Sequence, residues 1–270
     1  MSVDFCIVDT FSSSPLAGGA SAVLFVDDDV FVNGELMQNI AMELNTPETT
    51  FIKKNGASDF NIVCYTPIRK EMLFGNGLFA ASHILSVEQN NSDPINFLFE
   101  DRIFETKTDD GVTSVRLSST NFSKIPMSDS ISSAFSGEII VSVAESGCYL
   151  IVEIRSPGKL AKLDPNIDIL SHIDHEVVIV TSDNHYEKDT RSDYYARVFA
   201  PKLGVFEDNI TPLAHARLAS YWSERFESNK LTGCQNSKKE CYIDIEILPD
   251  EKHMYISGKN TIVTKGTLFL

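Results

Sequence analysis

Glu48 stands in the stretch Asn45-Thr46-Pro47-Glu48-Thr49-Thr50-Phe51 as a lone carboxylate at a polar corner between an apolar helical segment and a strand-like run. A carboxyl in such a place serves as a general acid or base when its surroundings let it exchange a proton near neutral pH. The same residue types also make an ordinary solvated turn. A second stretch, Glu71-Met72-Leu73-Phe74-Gly75-Asn76-Gly77, opens a strongly apolar segment. Its glycines allow close approach of the backbone to a ligand, and the unpaired N–H groups of a helix start attract a carboxylate or phosphate. Glycine in a tight turn is the competing account. A third, Gly204-Val205-Phe206-Glu207-Asp208-Asn209-Ile210-Thr211-Pro212-Leu213-Ala214-His215, opens another apolar helix. Asp208 or Thr211 fits its N-cap and Pro212 its first turn, where the missing N–H is not needed. That proline also removes one donor, so this end should bind anions less well than the Gly75 end. Asp208 is carried as a candidate site residue, and His215 reads as a hydrogen-bonded core histidine. Gln235-Asn236-Ser237-Lys238-Lys239-Glu240 reads as a solvated polar turn before a strand.

Other chemistries lack their residues. The six histidines form no HxxxH or HxH pair, so no metal site is expected. A GxSxG elbow, a P-loop and a GxGxxG fingerprint are all missing. The five cysteines are odd in number and scattered, with no CxxC pair, which points to a reducing, cytoplasmic setting. A net charge of −15 repels a phosphate backbone and an acidic membrane surface, so neither nucleic acid nor membrane is an expected partner. No apolar run nears the roughly 18 to 20 residues of a membrane span. The N-terminus meets an acid at Asp4 and alternates like a strand, unlike a signal peptide.

The elements that must position these residues are legible as periodicity. At 270 residues, with 43% hydrophobic and 23% charged, the chain has the composition of a folded protein and the length of two modest domains or one large one. Leu36, Met37, Ile40, Ala41 and Leu44 predict a half-buried helix over 34–44. Leu78, Phe79, Ala80, Ala81, Ile84 and Leu85 are apolar nearly all round and predict a central, buried helix over 75–85. In the second half, 165–173 is a weaker helical candidate and 211–226 a stronger one. Short strands are expected at 60–65, 112–117, 139–143, 149–154, 177–181, 194–199, 242–248 and 261–265. The Ser-, Asn-, Pro- and Asp-rich stretch 118–137 reads as a linker. The chain looks duplicated, with residues 1–117 as a first domain, to which a strand over about 261–270 returns, and 118–260 as a second.

Taken in order, these stretches resemble the phenazine-biosynthesis-like (PhzF-like) isomerase family over nearly the whole chain. The resemblance is carried by Val8-Asp9-Thr10-Phe11 with Pro15 to Val23, Met37-Gln38-Asn39-Ile40-Ala41, Glu48-Thr49-Thr50-Phe51 and Tyr65-Thr66-Pro67 with Gly75. It continues through Arg197-Val198-Phe199-Ala200-Pro201, Gly204 with Glu207-Asp208, Ala214-His215, Tyr221-Trp222, Gln235 with Ser237, and Ile256-Ser257-Gly258. It implies an α+β fold like that of diaminopimelate epimerase: two pseudo-symmetric domains, each a curled, barrel-like β-sheet around a central helix. It further implies no metal or organic cofactor, a homodimer, and proton transfer on a small carboxylate-bearing metabolite. Glu48 becomes the general acid/base and Asp208 the second-domain catalytic aspartate, with Gly75, Asn76, Gly77 and Thr211 binding substrate. The departures are Phe74 where the family has a small residue or cysteine, Asn76 for histidine, Pro212-Leu213 for Gly-Ser, Lys238-Lys239-Glu240 for Arg-Gly-Gly and Gly18-Gly19-Ala20 for Gly-Asn-Pro. Phe74-Gly75-Asn76-Gly77 also resembles the Cys-Gly-Asn-Gly of diaminopimelate epimerase. With Phe74 and Thr211 at the two thiol positions, a two-cysteine racemase is excluded by chemistry. The expectation is a cofactor-independent isomerase; the alternative is a binding or interaction protein on the same scaffold, its activity impaired by these replacements.

Overall fold

The computed structural model describes residues 2–71, 75–89, 93–184, 191–250 and 252–270. The chain divides into two compact units, one of Met1–Leu117 with Tyr255–Leu270 and one of Ser118–Met254. Both mix helix and sheet.

In the first unit, strand Ser2–Thr10 pairs antiparallel with Gly19–Phe25, which runs parallel to Glu48–Lys54 after a crossover through the helix Gly34–Leu44. Glu48–Lys54 turns back against Asp59–Tyr65, and that strand runs parallel to Ile95–Phe99 after the crossover helix Asn76–Gln89. The hairpins Ile95–Phe99 with Arg102–Asp109 and Arg102–Asp109 with Val112–Ser118 follow. The long strand His253–Phe269 pairs with both Val112–Ser118 and Ser2–Thr10, which closes the sheet into a barrel and removes its open edges. The helix Asn76–Gln89 is the plug. Leu78, Phe79, Ala80, Ala81, Ile84 and Leu85 are at most 3% exposed, as its all-round apolarity requires, and it continues past residue 85.

In the second unit, Ile140–Ser146 pairs antiparallel with Tyr149–Ile154, which runs parallel to Val177–Asp183, and Val177–Asp183 pairs antiparallel with Tyr194–Ala200. Tyr194–Ala200 runs parallel to Lys230–Asn236, with the helix Pro212–Phe226 between them in sequence, and Glu240–Ile247 completes the series. The order of antiparallel and parallel pairings thus repeats that of the first unit, and each long helix falls in the crossover before the second parallel pair.

Two local expectations change. Residues 165–173 carry only the single turn Ile167–Leu170, and a separate short helix, Pro157–Ala161, precedes it. Pro165 cannot extend a helix backwards, and Asn166 caps the turn through a bond from the Ile169 N–H. The stretch 118–137 is not a bare linker. It contains the strand Ser123–Lys124 and the helix Asp129–Ala134, capped by Ser128, and Ile131, Ala134 and Phe135 join the apolar core of the second unit. Their spacing of three and one is too short a signal to stand out from the surrounding serines. Phe135 is 2% exposed, so Phe135→Ala should cost about 3–5 kcal/mol in a urea or guanidinium denaturation series. A loss below about 1 kcal/mol would return this stretch to linker status.

Candidate active site

Glu48 is the first residue of its strand, where Pro47 ends the preceding turn, and is half-buried. The Thr46 hydroxyl donates to the Glu48 carbonyl (2.8 Å) and lies 3.0 Å from the Thr49 hydroxyl, which steadies the corner. The carboxylate is turned toward the start of the helix Asn76–Gln89. The Gly77 N–H donates to Oε2 at 2.8 Å, and the Gly75 N–H reaches Oε1 at 3.5 Å. These are among the N–H groups a helix start leaves without intrahelical partners, and the helix dipole adds its field to their attraction for a negative group. Oε2 is therefore the anchored oxygen and Oε1 the one with the longer amide bond.

Glycine at 77 is dictated by packing. A Cβ there would collide with Thr50 Oγ1 and sit 2.9 Å from Cys64 Sγ. Thr50 and Cys64 are themselves 3.0 Å apart, and burial, then the charge of Glu48, pushes the Cys64 thiol well up, so it stays neutral. Asn76 is 4% exposed and its Oδ1 accepts from the Thr10 hydroxyl (2.9 Å). Gly75, Asn76 and Gly77 thus form one structured lip, and its two glycine amides hold the protein's own carboxylate.

In the second unit, Asp208 ends the strand Val205–Asp208, just before the helix Pro212–Phe226. Thr211 is the N-cap residue and Pro212 opens the helix, but the Thr211 hydroxyl does not cap it; it donates to Asp208 Oδ2 at 2.6 Å. Burial pushes the Asp208 carboxyl above the ordinary aspartate range, against the opposing pull of the Thr211 hydroxyl and the Ile210 and Asn209 backbone; the charge of Glu207 adds to the rise. A string of polar groups runs inward from there. Gln235 Nε2 donates to the Asp208 carbonyl (2.8 Å), and Gln235 Oε1 accepts from the Thr211 N–H (2.9 Å). His215 Nε2 lies 3.2 Å from the same oxygen and Nδ1 lies 2.8 Å from the Tyr194 hydroxyl. Because Gln235 Oε1 can only accept, Nε2 carries the proton and Nδ1 accepts from Tyr194. Gly233 leaves room for this contact, since a Cβ there would stand 2.7 Å from His215 Nδ1.

The structure joins Glu48 to Gly75 and Gly77, and Asp208 to Thr211. Phe74 lies outside the described residues. Pro212 is buried and Leu213 half-buried. Gln235 is not in a solvated turn: it is 0% exposed, near the end of the strand Lys230–Asn236. Sequence reading missed that strand because Gly233, Gln235 and Asn236 have turn-like composition. In the structure Leu231, Gly233, Cys234 and Gln235 are all buried. A cavity of about 910 Å³ in this unit, lined by Ser119, Phe122, Ser223, Glu224 and Glu227 among others, opens by the C-terminal end of the helix Pro212–Phe226, away from Asp208. Among the described residues no group of three or more His, Cys, Asp and Glu could hold a metal, and no helix is long and apolar enough to cross a membrane.

The class follows from comparison with known proteins. An uncharacterized isomerase of Halalkalibacterium halodurans is 27% identical over 286 residues, covering 100% of this chain and 100% of that protein. The crystal structure of a PhzF-family phenazine biosynthesis protein from Enterococcus faecalis matches with a TM-score of 0.91 at 26% identity, covering 100% of both chains. A hydroxyproline epimerase from Agrobacterium vitis, solved with bound trans-4-hydroxy-L-proline, shares the fold at a TM-score of 0.61 and 8% identity, covering 99% of this chain and 92% of that one. These matches define a protein of the isomerase class. The model of the phenazine biosynthesis-like protein family matches residues 8–266, and the chain belongs to that family.

The buried histidine gives the second unit a measurable pH response. Burial lowers His215 from the ordinary histidine range to about 4, against the opposing pull of Gln235. The unfolded chain therefore takes up this proton first as pH falls. Stability should decline from about pH 6.5 toward pH 4, by up to about 3 kcal/mol from this group. Denaturation series at successive pH values should show that slope in the wild type and a flatter one in His215→Gln. Equal slopes would contradict the neutral assignment.

Proposed function

We propose that this protein is a cofactor-independent isomerase that moves a proton between carbon atoms of a small carboxylate-bearing metabolite, with Glu48 as its general acid/base. The observation that carries the reading is the Glu48 carboxylate held on the Gly75 and Gly77 amides at the start of a buried helix. A base must be ionised, fixed in direction and partly screened from water before it can take a proton from carbon. The glycine amides favour the ionised form, and the half-buried strand start supplies direction and shelter. The base then takes the proton from one carbon and returns it to another position or face, with no net change in charge. Because these amides serve Glu48, the substrate carboxylate would draw on other donors, with Asn76 forming part of the wall.

Asp208 is the second proposed catalytic carboxyl. Its raised proton affinity and its short bond from Thr211 suit a group that donates as well as accepts a proton. The family resemblance supports this role, and the matching order of strand pairings in the two units supports reading them as pseudo-symmetric repeats.

The test is isotopic. The protein is incubated in D2O with a panel of small 2-amino, 2-hydroxy and unsaturated carboxylic acids, and proton NMR follows loss of carbon-bound hydrogen. At least one acid should exchange with wild-type protein. Glu48→Gln should reduce that exchange by at least about 100-fold without loss of binding. Exchange that survives in Glu48→Gln removes Glu48 from the role. Saturable binding of an acid with no exchange in wild type would support the binding-protein alternative.

A further inference from the structure

Ser21, in the strand Gly19–Phe25, is 0% exposed, and its hydroxyl has no hydrogen-bond partner among the described residues. Register shows where it stands. The contacts awaiting a Cβ on Gly77 show that the sheet face carrying Thr50 and Cys64 looks onto the first turn of the helix Asn76–Gln89. Glu48 precedes Thr50 by two residues and so shares that face. Ser21 is the parallel partner of Glu48, as Val23 is of Thr50. The hydroxyl and the catalytic carboxyl therefore rise side by side from neighbouring strands, whose spacing is about 4.8 Å. A buried hydroxyl without a partner is costly, and the flanking residues Ala20 and Ala22 show that alanine is compatible with this strand.

The chemistry of an acid/base gives that hydroxyl a task. Backbone N–H groups only donate, so the Gly75 and Gly77 amides suit the ionised carboxylate and offer nothing to the O–H of its protonated form. A general acid/base spends part of every cycle protonated. In this structure the Ser21 hydroxyl makes no bond to the carboxylate, and its oxygen is able to accept the O–H of the protonated form. We propose that Ser21 is a positioning residue for Glu48, its hydroxyl accepting the O–H of the protonated carboxyl and so holding the acid in place to return its proton. The proton itself travels only between substrate and Glu48; no bond within Ser21 breaks. The inference rests on the reading of Glu48 as the acid/base. Of the other elements facing Glu48, strand Asp59–Tyr65 contributes the neutral Cys64 thiol, with Glu71 acting on it from further off. Strand Ser2–Thr10 contributes Val8 and Thr10, and the helix contributes Asn76.

The experiment uses the full chain labelled with 13C at the glutamate carboxyls, the Glu48 resonance being identified by its absence in Glu48→Gln. In Ser21→Ala the protonated form loses the hydroxyl proposed to accept from it, so the Glu48 titration midpoint should fall by about 0.5 to 1 pH unit. The melting temperature should hold or rise, because an unpaired buried hydroxyl has been removed. Deuterium exchange on a responsive acid should fall about 5- to 10-fold with KM unchanged. Ser21→Cys, similar in size and a weaker hydrogen-bonding group, should recover part of both effects. A midpoint that stays or rises overturns the proposal, and so does a loss of exchange that tracks a loss of melting temperature without a midpoint shift. If no acid exchanges with the wild type, the reading of Glu48 as catalytic fails, while the titration still decides whether Ser21 holds its carboxyl.

Discussion

The bond from the Gly77 amide to the Glu48 carboxylate is the constraint on which the first unit's chemistry depends. It requires a strand that begins at Glu48, a helix that begins beside it, and a glycine at 77, since any side chain there would displace Thr50 and press on Cys64. The closed barrel supplies the rigidity. With Ser2–Thr10, Gly19–Phe25 and Glu48–Lys54 each paired on both sides and an apolar helix filling the interior, the helix start is held relative to the strand ends by the whole core. A carboxyl fixed by backbone donors on rigid elements needs little reorganisation as charge moves.

The second unit uses a related crossover with different chemistry at the helix start. Pro212 withholds an N–H, and the Thr211 N–H is taken by Gln235, so this end is poorly equipped to seize an anion. Its carboxyl is held by a hydroxyl, and burial raises its proton affinity where the Gly75 and Gly77 amides favour the ionised state of Glu48. The two carboxyls thus stand in unlike surroundings, one on backbone amides and one on a side-chain hydroxyl. Behind Asp208, the string through Gln235, His215 and Tyr194 leaves none of these side chains unpaired in the core, and that favours one local arrangement.

Much of the scaffold was legible in the residues. The apolar periods at 34–44, 75–85 and 211–226 mark the helices because burial on one face or all faces leaves a strong spacing signal. Glu48 and Gly75 to Gly77 were legible as separate candidates. Their union was not, because 29 residues separate Glu48 from Gly77 in sequence, and only the register of Glu48–Lys54 against its neighbours brings the carboxylate to the amides. The amides expected to hold a substrate group are bonded to the Glu48 carboxylate. Gln235 was hidden by polar, turn-like neighbours, and Phe135 by a short helix whose apolar residues are too few to show a period. Ser21 carried no sequence signal at all: a serine among alanines looks incidental until its strand partner is known to be Glu48.

The most direct measurement is the Gly77 backbone amide followed by 15N–1H NMR across a pH titration. The account predicts a downfield amide proton that shifts with the ionisation of one carboxyl and loses that shift in Glu48→Gln. A Gly77 amide indifferent to pH, or one that titrates equally well without the Glu48 carboxyl, would contradict it.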